Sequence, residues 1–513
     1  KSPQESFYGS YLYERIVPAD HVLRRINQAV DLSFANDILK DRYSATNGRP
    51  AEDPEFLLRL CLLQYLYGDS DRQVVENARL NLAYKYFLGL AVDAEVPDYT
   101  TVSYFRAQRL GEEKFRQIFD QIVQQCMDKG LVKGKRQIID STPVFANISL
   151  SSLSGLVRKC RENVLKTVAK QDAKIAEELG ATELRNATPV KFSSSEEALE
   201  IEIAEAGTLL DRVTAELEAR KIKPTEELQK DLALLEKAVA DRAEHAKDKL
   251  ISTVDPDART GKKTGTTWRG YKAHIVMEEE SGIITEVATT PANATDGSQL
   301  RPLLKEQEKA HSLIPQELTA DKAYDWGENL ESLANNKTIA NIALTEQVNH
   351  RTGVDFAVDD FVYDPENVRL TCPAGHVSTS RYNVILSNSR LSKPGYAFQF
   401  RASLCNVCPL KPKCVKNNEG RRIHISYYEP YFRLARERLA TEEGKEAYRN
   451  RYRVEQKMAD LARYCGLRRC RYRGLGRAGI HTLLATTVCN IKRMVRLLWG
   501  KPDGYYPVAP AAA

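Results

Sequence analysis

The stretch Gln137-Ile138-Ile139-Asp140-Ser141-Thr142 decides the fold class. A brief apolar run that ends on a carboxylate, followed by small hydroxyl residues, reads as a buried strand that delivers an acid to the edge of a sheet. Downstream, strand signals return at Gly270-Tyr271-Lys272-Ala273-His274-Ile275-Val276-Met277 and at Ile283-Ile284-Thr285-Glu286-Val287-Ala288-Thr289. A charged Glu-Glu-Glu-Ser-Gly turn separates them, so the two form a hairpin. The pattern then predicts a helix over residues 298–311, a short strand Glu317-Leu318-Thr319-Ala320-Asp321, a helix over 328–335 and a strand over 339–344. This order of strand, hairpin, helix, strand, helix, strand predicts an α/β fold: a mixed sheet flanked by helices.

Upstream of that strand, residues 1–130 read as all-α. Apolar positions recur at helical spacing in FLLRLCLLQYLYG, VVENARLNLAYKYFLGL and YTTVSYFRAQ. Asp53-Pro54 is an N-cap followed by Pro at the first helical position, Gly68 is a stop, and Ser70 or Asp71 caps the next run. Short helices joined by tight turns, the last bearing Arg106 and Arg109, fit a helix-turn-helix-like DNA-binding module and equally a plain helical bundle for dimerisation. Between residues 155 and 250 the chain is rich in Ala, Glu, Lys and Leu. Two helical stretches there, broken at Lys223-Pro224, predict a coiled-coil-like hairpin inserted into the sheet domain. Residues 350–436 are irregular and Cys-bearing, with strand-like runs such as Tyr396-Ala397-Phe398-Gln399-Phe400. From residue 437 to 464 the chain is helical again, with Glu455 in the middle. The organisation expected is an N-terminal domain over 1–130, a sheet core assembled from 131–154, 251–349 and 437–500, a helical insertion over 155–250 and a Cys-rich insertion over 350–436.

Composition sets the outer limits. The chain has 513 residues, 42% of them hydrophobic, with 75 Lys and Arg against 69 Asp and Glu. That excludes a disordered chain and a small disulfide scaffold. No window holds the uninterrupted apolar run of a membrane helix and the start KSPQESFYGS has no apolar signal region, so the reading expects a soluble intracellular protein with no membrane partner. The lack of an initiator Met is taken as processing or truncation, and neither end informs function. The net charge of +6 is unevenly spread: residues 445–501 hold fifteen Lys and Arg against Glu446, Glu455 and Asp460, a local +12. Such a concentration is the footprint of a polyanion partner, or else a solvated helical face.

Two acids, Asp140 and Asp321, each end an apolar run and would stand at the sheet's C-terminal edge, where ligands and metals collect. Glu455 is the third, among Arg449, Arg451, Arg453 and Lys457. Singly, strand-end Asp residues cap turns and a helical Glu near Arg is a solvated pair. Together, two carboxylates on adjacent strands and one from a helix suit a pair of hard divalent cations, which serve in-line phosphoryl displacement. Asp325 rivals Asp321, and Asp460 rivals Glu455. Trp326 either stacks on an unpaired base or simply packs.

The four cysteines Cys372, Cys405, Cys408 and Cys414 are clustered, with a Cys-x2-Cys half-site at 405 and 408. Thiolates at this spacing predict a structural zinc site of four Cys, or of three Cys with His376. Metal binding there would supply folding free energy to a loop-rich insertion and take no part in chemistry.

The segments 138–147 (Ile-Ile-Asp-Ser-Thr-Pro-Val-Phe-Ala-Asn), Asp255-Pro256-Asp257-Ala258-Arg259 through Gly270-Tyr271-Lys272-Ala273-His274, Thr290-Pro291-Ala292-Asn293-Ala294-Thr295-Asp296 and Thr319-Ala320-Asp321-Lys322-Ala323-Tyr324-Asp325 resemble, in this order, bacterial insertion-sequence transposases of the DDE class. Ser70-Asp71-Arg72 and Phe87-Leu88-Gly89-Leu90 resemble theirs too. The resemblance implies an RNase H-like core with Asp140, Asp321 and Glu455 as the ligands of two Mg²⁺ or Mn²⁺ ions. It implies cleavage at the element's terminal inverted repeats and joining of the 3′-hydroxyl to target DNA, by a homodimer or larger assembly in the bacterial cytoplasm, at the nucleoid when DNA is bound. Relatives carry Tyr, Arg, Glu and Lys near the third acid; Tyr448, Arg451 and Glu455 fit, whereas residue 462 is Ala and the nearest base is Arg463. Tyr448, Arg451, Lys457 and Arg463 are the expected DNA contacts. Two other classes compete: a non-catalytic DNA-binding protein derived from such an enzyme, and a two-metal phosphoesterase for small substrates.

Overall fold

The structure, a computed structural model, describes residues 7–43, 52–186, 194–243, 246, 248–263, 265–345, 355–356, 358–386 and 393–500. Lys501 and the residues beyond it lie outside the described residues, as do the first six.

The central sheet is built from β1 (Arg136–Phe145), β2 (Arg259–Lys263), β3 (Thr266–Glu278), β4 (Ile284–Pro291), β5 (Glu317–Ala320) and β6 (Ile339–Ile342). β3 runs antiparallel to β1 and to β4, while β1, β5 and β6 run parallel to one another. The spatial order along the main body is therefore β4-β3-β1-β5-β6, with β2 extending the outer edge of β3. Each parallel step is bridged by a helix: Leu300–His311 before β5 and Gly327–Asn335 before β6. These two helices pack Leu300, Leu303, Leu330 and Leu333 against Ile139, Val276, Leu318 and Ile342 on one face of the sheet. Burying such apolar side chains is worth roughly 1.5–3 kcal/mol each, which is what holds the layer.

The other face is covered by a helix the sequence reading did not single out, Leu475–Trp499, buried on nearly every side from Ala478 to Val495. A helix apolar all round is a core helix. Its N-terminus is tied to the sheet domain by two acids: Asp255 Oδ1 accepts from Gly474 N and Asp257 Oδ2 from Leu475 N. The Asp-Pro-Asp segment is thus a helix cap, satisfying N–H groups that have no partner inside the helix.

The same helix carries the N-terminal helices, so residues 1–130 are not a detached unit. Caps fall where the sequence places them: Asp53 with Pro54 opens Pro54–Tyr67, Gly68 ends it at φ 79°, and Ser70 forms a capping box with Gln73. The long run after it breaks at Asn81, whose side chain caps a second helix, Leu82–Leu88. One continuous core joins Leu58, Leu62 and Phe119 to Val144 and Ile275 of the sheet and to Leu484 and Val488. Polar bonds follow the same seam: Tyr65 Oη lies 2.8 Å from His481 Nδ1, and Arg471 donates to the carbonyls of Asp69 and Gln64.

Residues 153–186 and 194–243 form a satellite with its own core. The predicted hairpin is Ser195–Ala219 and Glu226–Ala243, broken at Lys223-Pro224, and a third long helix, Leu153–Gln171, packs against both. The Cys-bearing stretch forms two small three-stranded sheets around Phe361, Leu370, Phe398 and Ile425. No helix among the described residues is long and apolar enough to cross a membrane.

Candidate functional site

Asp140 does not end its strand. β1 continues through Ser141-Thr142-Pro143 to Phe145 because it keeps pairing with β3, Asp140 opposite Ile275. Its other neighbour, β5, stops at Ala320, so Pro143, which has no N–H to donate, sits where β1 has only one partner. The parallel register runs Arg136 with Glu317, Gln137 with Leu318 and Ile138 with Thr319. Asp140 stands two positions beyond the last paired residue on β1 and Asp321 two beyond it on the other chain segment, just past the end of β5, where its charge is felt at Asp140.

Asp140 is 2% exposed, accepts from its neighbour Ser141 N at 2.7 Å, and has its carboxyl pushed up to about 6. Burial is the main cause and the charge of Asp321 adds to it; Lys263 and Arg451 pull the other way. Asp321, half-buried, caps the turn after β5 by accepting from Ala323 N at 2.8 Å.

The third acid arrives on a helix that differs from the sequence reading. The stretch expected as one helix is three: Glu429–Ala440, Glu442–Arg449 and Tyr452–Tyr464. Thr441 caps the second and Asn450 ends it. Glu455 therefore sits in the first turn of its helix, where unpaired backbone N–H groups favour a negative charge, and Arg451 sits at the N-cap position. The guanidinium of Arg451 joins two of the acids: Nη1 is 3.3 Å from Asp140 Oδ2 and Nη2 is 2.8 Å from Glu455 Oε1. The helix start is anchored to the charged turn between β3 and β4, where Glu279 Oε1 accepts from Asn450 Nδ2 and the Glu279 carbonyl from Arg453.

Near these acids lies a polar layer, fully buried at His274 and Tyr324, that is absent from the expected site. Lys272 Nζ is 2.8 Å from Asp296 Oδ1, His274 Nδ1 is 4.0 Å from the same oxygen, and His274 Nε2 is 2.8 Å from Thr290 Oγ1. Burial first, with Lys272 adding, lowers the His274 pKa to about 4, so its imidazole is neutral at pH 7. Tyr324, fully buried, has a hydroxyl with no hydrogen-bond partner among the described residues, and it feels the charges of Asp140, Asp296 and Asp321. All five residues lie in the segments quoted from the sequence. The polar types of Lys272, His274 and Thr290 at strand positions were the available signal.

The remaining expected residues are spread. Lys457 is buried on the face of its helix away from Glu455, beside Gly282. Arg463 is exposed at the far end of that helix, and Tyr448 is half-buried on the preceding one. Asp325 accepts from Thr345 N at 2.7 Å and so closes the chain after β6, and Asp460 is exposed. Trp326 is half-buried against Gly297. Several cations of the basic C-terminal segment are spent internally on carbonyls: Lys492 on Tyr464 and Leu66, Arg493 on Ser281, Arg471 as above. Arg106, on the helix read equally as part of a DNA-binding module or of a dimerisation bundle, is buried, with Nη2 2.9 Å from Asp71 Oδ2.

Cys372, Cys405, Cys408 and Cys414 line one cavity of about 20 Å³, with His376 also at its wall. Burial, and then the charges of Cys405, Cys372 and Cys408, raise the Cys414 thiol. Among the described residues no three His, Cys, Asp or Glu side chains converge closely enough to hold a metal as they stand. At the carboxylates, a guanidinium lies between Asp140 and Glu455.

Residues 11–108 match the family model described as Transposase domain (DUF772), and residues 371–495 match the one described as Transposase DDE domain. The second segment contains Glu455, Arg451 and all four clustered cysteines; Asp140 and Asp321 lie between the two segments. No curated protein and no solved structure matches.

Proposed function

We propose, from the premise that the chain carries the two matched domains of an insertion-sequence transposase of the DDE class, that it cuts DNA at the terminal inverted repeats of its element and joins the freed 3′-hydroxyl to target DNA. The observation that supports the reading is one cation, Arg451, that reaches both Asp140 and Glu455, while the charge of Asp321 is felt at Asp140. The strand order β4-β3-β1-β5-β6, with one antiparallel hairpin and two parallel additions, supports the reading of an RNase H-like core.

The donor set fits hard divalent ions: carboxylate oxygens only, with a positive charge already accommodated between two of them. Asp140, Asp321 and Glu455 would hold two Mg²⁺ or Mn²⁺ ions, which when bound supply an activated hydroxyl and stabilisation of the leaving oxygen. Arg451, freed from Glu455, is placed to take a phosphate oxygen, and Arg463 and Tyr448 extend the contact along the backbone. Lys457 is left out because it is buried. The Cys372, Cys405, Cys408 and Cys414 thiolates suit a structural zinc: four soft donors on one cavity wall in a segment with a small core. The complex on DNA would be a homodimer or larger assembly, so that two ends are cut together.

The test is cleavage of a labelled duplex bearing the element's end, with Mg²⁺ or Mn²⁺ against EDTA. Wild type should nick at the end, and Asp321→Ala and Glu455→Gln should lose this by at least about 100-fold while still binding. Metal-dependent cutting by Asp321→Ala would sink the assignment. Binding without cutting by any form, wild type included, would leave a non-catalytic DNA-binding protein.

A further inference from the structure

β3 has two parts. From Gly270 onward it pairs with β1, and before Gly270 it pairs with β2 alone, Arg259 opposite Gly270 and Lys263 opposite Thr266. Residues 259–263 and 266–269 are therefore a two-stranded arm that stands outside the body of the sheet. Its tip comes back to the carboxylates: Lys263 Nζ is 4.0 Å from Asp140 Oδ1. Along β3, Thr266, opposite Lys263, and Ile275, opposite Asp140, are nine residues apart. A straight strand would separate them by roughly 30 Å at ~3.3 Å per residue, so the arm is folded over the sheet. Gly270 makes the fold possible. It adopts φ 143°, and a Cβ there would lie 2.3 Å from the Val144 carbonyl oxygen. Trp268 pins it: the ring is buried against Gly261, and Nε1 donates to the Tyr271 carbonyl across the bend.

The arm's chemistry is one-sided. Its sequence, Arg-Thr-Gly-Lys-Lys-Thr-Gly-Thr-Thr-Trp-Arg, has four cations, four threonines and no acid. Arg259 is held at the root by Asp248. Lys262, Lys263, Thr266, Thr267 and Arg269 are exposed. By strand alternation Lys263 and Thr266 share the face that Trp268 turns inward, towards Asp140, while Lys262 and Arg269 share the outer face. A cationic and hydroxyl-bearing ribbon lying over a carboxylate site complements a phosphate backbone passing between them.

We propose that this arm is a DNA-backbone grip that closes over the strand to be cut, with Lys263 holding a phosphate beside Asp140 and Lys262 holding one further along. This rests on the DNA reading above and adds a contact that reading does not contain. A cation at this position also draws in the phosphate against the repulsion of the acids, which would otherwise exclude it.

The experiment measures binding of the full chain to a fluorescein-labelled duplex of arbitrary sequence between about 50 and about 200 mM salt. Each lost phosphate contact should flatten the log K against log salt slope by roughly 1, so Lys262→Ala and Lys263→Ala should each do so and the double variant by roughly 2. Lys263→Arg should restore the slope. Lys230→Ala, on the remote helical insertion, should not change it. If wild type binds steeply and Lys263→Ala keeps the same slope, the grip is refuted and the DNA reading stands; Lys263 is then only a counter-charge of Asp140. If wild type shows no salt-dependent binding, both fall together.

Discussion

Arg451 Nη2 lies 2.8 Å from Glu455 Oε1, one helical turn away, and its other terminal nitrogen reaches Asp140 on β1. One guanidinium thus ties the start of a C-terminal helix to the centre of the sheet, across more than three hundred residues of chain. Arg451→Met should leave the buried Asp140 short of a counter-charge and cost about 1–3 kcal/mol at pH 7.5. Denaturant unfolding checks this. Addition of Mg²⁺ should recover more stability in the variant than in wild type, because a bound cation replaces what the substitution removed; equal recovery would argue against a metal between these acids.

The Tyr324 hydroxyl is buried with no hydrogen-bond partner among the described residues. Removing it should therefore lose nothing in the metal-free protein. Tyr324→Phe is expected to be as stable as wild type or up to about 1 kcal/mol more so, since a buried unpaired hydroxyl carries a desolvation cost. A loss of more than about 1 kcal/mol in urea unfolding would mean that the hydroxyl is bonded in solution.

Glu286, 1% exposed on β4, is raised to about 7 by burial, against the pull of Arg116, which donates to it. Its folded pKa lies above the ordinary 4.5, so the folded state holds the proton more tightly. The stabilising contribution is complete below about 4.5 and is lost as pH rises through about 7. Asp120 beside it, raised to about 6 mainly by burial, acts in the same direction. Glu286→Gln should become more stable relative to wild type by about 1–3 kcal/mol between pH 4.5 and 7.5. Unfolding at several pH values measures the difference, and a flat difference would show that Glu286 is ionised throughout.

The cysteine cluster makes a compositional prediction. Purified protein should carry about one zinc per chain, measured by elemental analysis, and Cys405→Ser should lose it. Proteolysis should then cut within residues 358–426, while the sheet domain, whose core is separate, keeps its melting transition. Cys160→Ser, in the helical insertion, should retain zinc.

Within the N-terminal helices Arg106 pairs with Asp71, 2.9 Å apart with the arginine side chain 10% exposed, and its guanidinium lies over the Tyr472 ring of the C-terminal segment, 4.8 Å from the centroid. Arg106→Met would strand Asp71 and is expected to cost about 3–5 kcal/mol. Loss of a single cooperative transition in calorimetry would show that residues 7–128 then melt on their own.

Much of the sheet was legible because its strands announce themselves locally. Ile138-Ile139-Asp140 and Leu318-Thr319-Ala320-Asp321 are short apolar runs ending in an acid, and β3 with β4 alternates around a charged turn. Helix caps at Asp53 and Ser70 were equally local, since a cap is a bond between residues two or three apart. The helix after residue 437 was read as continuous because its propensity is continuous; Thr441 and Asn450 break it through side-chain and turn geometry that propensity does not carry.

The basic C-terminal segment shows where pattern stops. Its count of charges is a property of the sequence, but whether a lysine faces solvent or a carbonyl depends on which backbone groups the fold leaves unpaired. Lys492 and Arg471 satisfy such groups in the N-terminal helices, over four hundred residues away. Lys263 is the converse case, an unremarked residue in a Gly- and Thr-rich stretch that a bend at Gly270 carries to the acids. Local order along the chain determined the strands and most of the helices, because those depend on neighbours a few residues apart. Which cations stand beside the acids was decided only by the tertiary structure, because charges interact through space and the chain distance between Arg451, Lys263 and Asp140 says nothing of the few ångströms that separate them.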